Sequence, residues 1–240
     1  GPTGTGKELV TEVIQKLSDR SDKPFKRVNC ANLPNELLES ELFGHVKGAF
    51  TNAHADKIGL IEEAAGGYIH LDEIGETSKA FQAKLLRLFE DGTYQRLGDN
   101  RTWKAETRFI LTTNRSLDVL RIDLVQRMGE KIYLPAINEY VRRHVYVGIL
   151  IRLFADEIYK NEFQRKTDIL LSLGALAEAM FYDWPGNVRE LKILLENKIK
   201  KIENNLDIEQ RTFMGSLAYP MPDKKAICTL GLHDEVKAFK

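Results

Sequence analysis

Cysteine is almost absent from this 240-residue chain: Cys30 and Cys228 are the only two, far apart and without the spacing of metal ligands. The scarcity speaks against a cysteine metal site and points to a reducing, cytoplasmic setting. Charge of either sign is equally lacking in excess, with 35 Lys plus Arg against 35 Asp plus Glu. Without a basic surplus, the chain has little with which to neutralise a row of phosphates, so direct duplex binding is not expected of it. Long hydrophobic runs are missing too. The stretches around 145–155 and 169–181 are interrupted by Arg152 or too short for the roughly 20 residues a membrane helix needs, and no apolar segment precedes the first motif. No internal repeat or low-complexity tract is present.

What is there is a chain that is 43% hydrophobic and 29% charged, ample for one large domain or one large plus one small. Leu9, Val10, Val13, Ile14 and Leu17 recur at helical spacing behind a glycine-rich start, which predicts an amphipathic helix. Residues 25–29 read as a strand, 36–43 as a helix and 68–71 as a short apolar strand ending in two acids. Phe81, Leu85, Leu88 and Phe89 mark another helical face. Residues 108–113 form a strand-like run stopping at Asn114, and 131–134 a shorter one. Beyond about Pro135 the pattern predicts helices only, one stripe carrying Val147, Leu150, Ile151, Phe154 and Ile158. The order is that of an α/β sheet followed by a small helical domain.

The first seven residues, Gly1, Pro2, Thr3, Gly4, Thr5, Gly6 and Lys7, have the form of a phosphate-binding loop. Glycines let backbone N–H groups converge on phosphates, and the lysine adds a charge at the β and γ positions. Glu8 stands where a Ser or Thr hydroxyl usually binds Mg²⁺. Such a loop ordinarily follows a buried strand, so the chain reads as a fragment whose first strand lies before Gly1. Asp72 and Glu73 close the strand at 68–71: the first is placed to hold Mg²⁺, the second to polarise the water that attacks a γ-phosphate. Alone, the pair also fits a helix cap; behind a phosphate loop it reads as an ATPase. Asn114 reads either as a water-orienting sensor or as a loop-starting asparagine. His70, inside the strand, reads as a hydrogen-bonded core histidine.

Together these residues resemble the sigma-54 interaction domain, the AAA+ central domain of bacterial enhancer-binding transcriptional activators, from Gly1 to about Glu203. The most specific segment is residues 41–53. Its stretch Gly48, Ala49, Phe50, Thr51, Asn52 and Ala53 is similar to the family's Gly-Ala-Phe-Thr-Gly-Ala loop, with Asn52 in place of glycine, a residue type that tolerates the left-handed backbone. The run lacks helical or strand periodicity, so Phe50 reads as an exposed aromatic on a mobile loop. The resemblance makes Asn29 a switch asparagine holding Glu73. It makes Arg121 and Arg127 fingers acting on a neighbouring subunit's nucleotide, and Arg189, in Trp184-Pro185-Gly186-Asn187-Val188-Arg189, a nucleotide sensor on the lid. Without it, both arginines of the pair read as solvated surface. Asn187 and Glu190 look like a pair capping a helix start. Residues 136–143 depart from the family pattern.

The resemblance implies a P-loop AAA+ three-layer α/β sandwich with a parallel sheet over 1–138, a small all-helical lid over 139–210 and a linker over 211–240. It implies ATP and Mg²⁺ as cofactors, hydrolysis coupled to remodelling of sigma-54 RNA polymerase holoenzyme, and a self-assembled ring, a hexamer in the family. DNA would be reached only through a further segment beyond Lys240. The alternatives are an ATPase with a different protein client, to which Asn52 and the departure at 136–143 point, and a nucleotide-gated scaffold with little turnover.

Overall fold

A computed structural model of the chain describes residues 1–164, 170–171, 173–204 and 212–213. Cys228 and most of the expected linker lie outside them. The described residues divide into two compact units, one comprising Gly1–Pro2 and Gly6–Leu134, the other Thr3–Thr5 and the described residues from Pro135 on.

The first unit runs α1 (Lys7–Lys16), β1 (Phe25–Asn29), α2 (Asn35–Phe43), β2 (Gly44–His45), β3 (Lys57–Ile58), α3 (Leu60–Glu63), β4 (Tyr68–Asp72), α4 (Lys79–Asp91), β5 (Thr93–Tyr94), β6 (Trp103–Lys104), β7 (Arg108–Leu111) and α5 (Ile122–Arg127). The strands β1, β4 and β7 pair side by side, all parallel, with β4 in the centre. Successive side chains alternate faces. Val28, Ile69 and Leu71 therefore point one way, into a core shared with Leu38, Leu42, Phe81, Leu85 and Leu124 of α2, α4 and α5. Arg27 and His70, opposite each other in register, point the other way, and Arg27 reaches Glu12 of α1 at 2.8 Å. Helices thus cover both faces of the sheet, a three-layer arrangement.

The α4 helix shows how local sequence builds the core. The Ser78 hydroxyl accepts from the Phe81 N–H at 3.2 Å as the N-cap, and Gly92, at φ 64, closes the C-terminus in the left-handed region. Between them Phe81, Leu85 and Leu88 lie on one buried stripe. The α1 helix forms where its periodicity predicts but turns another stripe inward: Thr11 and Gln15 are buried, while Leu9, Val13 and Leu17 are exposed. The two polar residues tolerate burial because they are satisfied, Thr11 donating to the Glu8 carbonyl and Gln15 to the Ser21 carbonyl, each at 2.7 Å.

Two strand expectations change. The run at 108–113 is a strand only to Leu111, and residues 131–134 join no sheet. Both β7 and the residues 131–134 line a cavity of about 870 Å³, and with no ladder partner across that gap the second segment has nothing to pair with.

The second unit holds α6 (Arg143–Glu162), β8 (Leu170–Leu171), α7 (Leu173–Phe181), α8 (Asn187–Asn204) and β9 (Thr212–Phe213). Val147, Ile151, Phe154 and Ile158 of α6 pack with Leu191, Leu195 and Ile199 of α8 around the buried Trp184, whose indole N–H donates to the Ala179 carbonyl at 2.8 Å. It is not helical throughout, because β8 and β9 form a two-residue parallel pair.

Candidate nucleotide site and client loop

The loop before α1 takes its shape from Gly4 at φ 78 and Gly6 at φ 92, both in the region that favours glycine. Gly6 is the N-cap of α1, so the first-turn N–H groups and the helix dipole point out of the helix start, an arrangement suited to an anion. The Lys7 ammonium donates to the carbonyls of Gly1 at 3.0 Å and Pro2 at 2.9 Å. Lys7 and Thr112 also line the 870 Å³ cavity.

At the carboxyl end of β4, Asp72 stands opposite Asn29 in the β1 register. Glu73 follows at φ 53, a left-handed conformation that costs a non-glycine residue energy and aims its side chain off the strand. Its Oε2 accepts from the Asn114 backbone N–H at 3.0 Å. The Asn29 side chain accepts from the Ala31 N–H at 2.9 Å, capping the turn Cys30–Asn32, and makes no hydrogen bond to Glu73. The structure therefore gathers Asn29, Asp72, Glu73 and Asn114 at the carboxyl edge of a parallel sheet, where ligands of open α/β folds bind. Beside them the Cys30 thiol is pushed up to about 12 by burial, then by the charges of Asp72 and Glu73.

His70 is the hydrogen-bonded core histidine read from the sequence, whereas Thr112 was not singled out there. His70 is buried, its Nε2 2.8 Å from the Thr112 hydroxyl, which donates to Asp72 Oδ1 at 2.6 Å. Burial holds the imidazole below its ordinary pKa against the opposing pull of Asp72. No linear pattern joins these residues, since Thr112 reaches Asp72 from the end of a different strand. Asp72 Oδ2 takes no hydrogen bond among the described residues, leaving one carboxylate oxygen uncommitted. That fits Mg²⁺, which is commonly held by one or two carboxylates together with substrate phosphates and water.

Arg121 stands at the N-cap position of α5 without a side-chain cap bond; its N–H donates to Gln82 Oε1 at 2.8 Å, and its guanidinium bonds Asp123 twice, at 3.0 and 2.6 Å. Arg127 pairs with Glu90 at 3.1 Å and also lines the cavity. Both pairs are solvent-exposed, and such pairs contribute little stability.

Residues 46–56 form a finger closed at its root by the β2–β3 pair. Within it Lys47 N–H donates to Asp56 Oδ1 at 2.7 Å, Gly48 N–H to the Ala53 carbonyl at 2.9 Å and Ala53 N–H to the Phe50 carbonyl at 2.9 Å. Phe50 is half-buried rather than exposed: its ring packs edge-on to His45, 4.9 Å between centroids, and His45 is fixed by Ser40 at 2.8 Å. Thr51 and Asn52 are exposed. Asn52 is not in the left-handed region, so the backbone there does not require glycine, and its difference from the family pattern lies in its side chain. A second loop supports the finger, Val46 N–H donating to the Leu97 carbonyl at 3.0 Å, and a Cβ on Gly98 would come within 2.8 Å of Ala49.

Within the second unit, Asn187 is buried at the start of α8. Its side chain accepts from Ile137 N–H at 2.9 Å and donates to the Thr3 carbonyl at 3.0 Å. Glu190 accepts from Gly186 N–H at 2.7 Å, so the expected cap is made by Glu190 with Gly186, while Asn187 looks elsewhere. Arg189 is exposed in the first turn, on a cleft with Thr3 and Lys201, and has no ion-pair partner among the described residues.

A phosphate loop opening a helix, an acid pair at the end of a central parallel strand and a mainly helical second unit define an AAA+ nucleotide-binding fold. The chain belongs to the family of sigma-54 interaction domains, whose model matches residues 1–130. The Nif-specific regulatory protein of Herbaspirillum seropedicae is 41% identical over 216 residues, 87% of this chain and 39% of the relative. That of Azotobacter vinelandii is 39% identical over 237 residues, 93% of this chain and 44% of the relative. The chain thus spans about two fifths of the length of these curated relatives. Among solved structures, NtrX from Brucella abortus in complex with ATP superposes with a TM-score of 0.77 at 28% identity, covering 100% of this chain and 54% of that one. Hsp104 with ATPγS and casein shares the fold, with a TM-score of 0.62 at 16% identity over 85% of this chain and 40% of its own.

Proposed function

We propose that the chain is the ATP-hydrolysing core of a sigma-54-dependent transcriptional activator, in which turnover moves the finger at residues 46–56 against sigma-54 in RNA polymerase holoenzyme. The observation that carries this reading is the finger itself. It is anchored at its root, with Phe50 packed on His45 and Thr51 exposed, in the same compact unit as the acid pair.

In this reading Lys7 and the loop amides from Gly1 to Glu8 hold the ATP phosphates. Lys7 exchanges its carbonyl partners for the stronger charge-assisted bonds phosphate offers. Asp72 holds Mg²⁺ through Oδ2, and the ion neutralises phosphate charge when bound. Glu73 orients the attacking water, and the Asn114 N–H fixes the carboxylate that does so. Release of Glu73 to Asn29 gives a route to the finger, because Asn29 ends β1 and the chain runs from there through α2 into β2. Arg121 and Arg127 act on a neighbouring subunit's nucleotide in a ring, a hexamer in this reading, and Arg189 is the second unit's nucleotide-sensing cation. The boundary between α/β subdomain and lid near residue 138 is part of the same proposal.

The test is retention of sigma-54 by the tagged chain in ATP, comparing wild type with Thr51→Ala. Loss of nucleotide-dependent retention with unchanged ATP turnover supports the reading. Turnover without any nucleotide-dependent retention by wild type favours a different client, reached through the exposed Asn52.

A further inference from the structure

His70 of β4 faces Thr112, the residue that follows the adjacent parallel strand β7, and their hydrogen-bond directions can be assigned from chemistry. The Thr112 hydroxyl owns one proton. At 2.6 Å from Asp72 Oδ1 it sits at the separation of a hydroxyl bonded to a carboxylate, and an ionised carboxylate only accepts. That proton therefore points at Asp72. The contact of 2.8 Å between Thr112 Oγ and His70 Nε2 must then take its proton from the imidazole, so His70 carries its hydrogen on Nε2. Its other nitrogen, Nδ1, is buried and unpartnered, which agrees with a lone pair there and would be costly for an N–H. The imidazole is 1% exposed and stacks parallel to Phe25, the planes 2° apart, so its orientation is set by packing.

We infer that His70 and Thr112 are positioning residues for the proposed metal carboxylate: the imidazole orients the hydroxyl, the hydroxyl binds Oδ1, and Oδ2 of Asp72 is left turned to the metal. This rests on the ATPase reading for its consequence but not for its geometry. Both act through Asp72, His70 by way of the Thr112 hydroxyl. The backbone reinforces the pair, because Thr112 N–H donates to the Leu71 carbonyl at 3.0 Å and the Thr112 carbonyl accepts from Ile74 N–H at 3.0 Å, locking the threonine on both sides of Asp72. Outer partners of metal ligands commonly change metal affinity by about tenfold to a hundredfold when removed.

The test uses the full chain and two readouts. The first is the histidine tautomer by long-range proton–nitrogen NMR without nucleotide or metal: His70 shows the Nε2–H form in wild type, and an Nδ1–H form would overturn the relay. The second is Mn²⁺ binding by electron paramagnetic resonance with a non-hydrolysable ATP analogue, beside binding of a fluorescent ATP in EDTA. Thr112→Val weakens Mn²⁺ about tenfold or more and leaves metal-free nucleotide binding unchanged, Thr112→Ser restores Mn²⁺ binding, and His70→Phe shifts it in the same direction as Thr112→Val. Unchanged Mn²⁺ affinity in Thr112→Val, or failure of Thr112→Ser to restore it, contradicts the inference. Wild type that binds no nucleotide at all sinks the ATPase reading instead, while the tautomer still decides the relay.

Discussion

The carboxylate of Glu73 is held by the backbone N–H of Asn114, 3.0 Å from Oε2, so an acid at the end of β4 is fixed by the chain leaving β7. Because the donor is backbone, it survives any change of the Asn114 side chain. Glu73→Gln keeps the shape and an acceptor oxygen but removes the carboxylate proposed to orient the attacking water. Turnover is expected to fall about a hundredfold to ten-thousandfold, with ATP binding retained. Phosphate release and fluorescent-nucleotide titration check it. Loss of binding together with turnover would mean that Glu73 holds the site together rather than doing its chemistry.

Arg127 separates a surface role from a functional one. Its pair with Glu90 is solvent-exposed, so Arg127→Ala should change stability by less than about 1 kcal/mol while lowering turnover about a thousandfold or more. If the arginine acts in trans, mixing Arg127→Ala with Glu73→Gln restores part of the activity, because a mixed ring contains sites with both groups intact. Absence of any recovery on mixing contradicts trans action.

Cys30 is buried with its thiol pushed up to about 12, and Asp72 and Glu73 both oppose a thiolate beside them. At pH 8 the native chain should resist iodoacetamide at Cys30, whereas the urea-unfolded chain, its thiol near the ordinary value, reacts. Peptide mass spectrometry reads the difference; rapid labelling of the native chain would refute the buried placement.

Phe81 is fully buried where α4 meets the sheet and packs against Phe43, the ring centroids 6.3 Å apart. Phe81→Ala should cost about 3–5 kcal/mol, seen as a lower denaturant midpoint. Asn52→Gly, on an exposed tip outside the left-handed region, should cost no more than about 1 kcal/mol.

The sheet was legible in the sequence because its strands announce themselves: residues 25–29 form the strand read from them, and β4 ends at Asp72, one residue beyond the run read at 68–71, where a polar edge is expected. The α1 helix was legible as a helix but not in its orientation, since the buried Thr11 is satisfied by the Glu8 carbonyl of the helix's own first turn and the buried Gln15 by the Ser21 carbonyl of the loop that folds back after it. A strand at 131–134 was read from apolar content alone, whereas a strand exists only with a partner. Phe50 looked exposed because its packing partner, His45, belongs to the preceding strand and carries no periodic signal. The link from His70 through Thr112 to Asp72 joins two strands by side-chain chemistry, which no spacing rule along one strand encodes.

The central claim, a nucleotide-driven finger that engages sigma-54, is tested most directly by size-exclusion chromatography of the chain with sigma-54 in ADP and in ADP with aluminium fluoride. Co-elution is expected with the transition-state mimic and not with ADP, and is expected to vanish on Thr51→Ala. Co-elution in neither state, from a chain that still hydrolyses ATP, would contradict the claim and leave an ATPase of this family with another client.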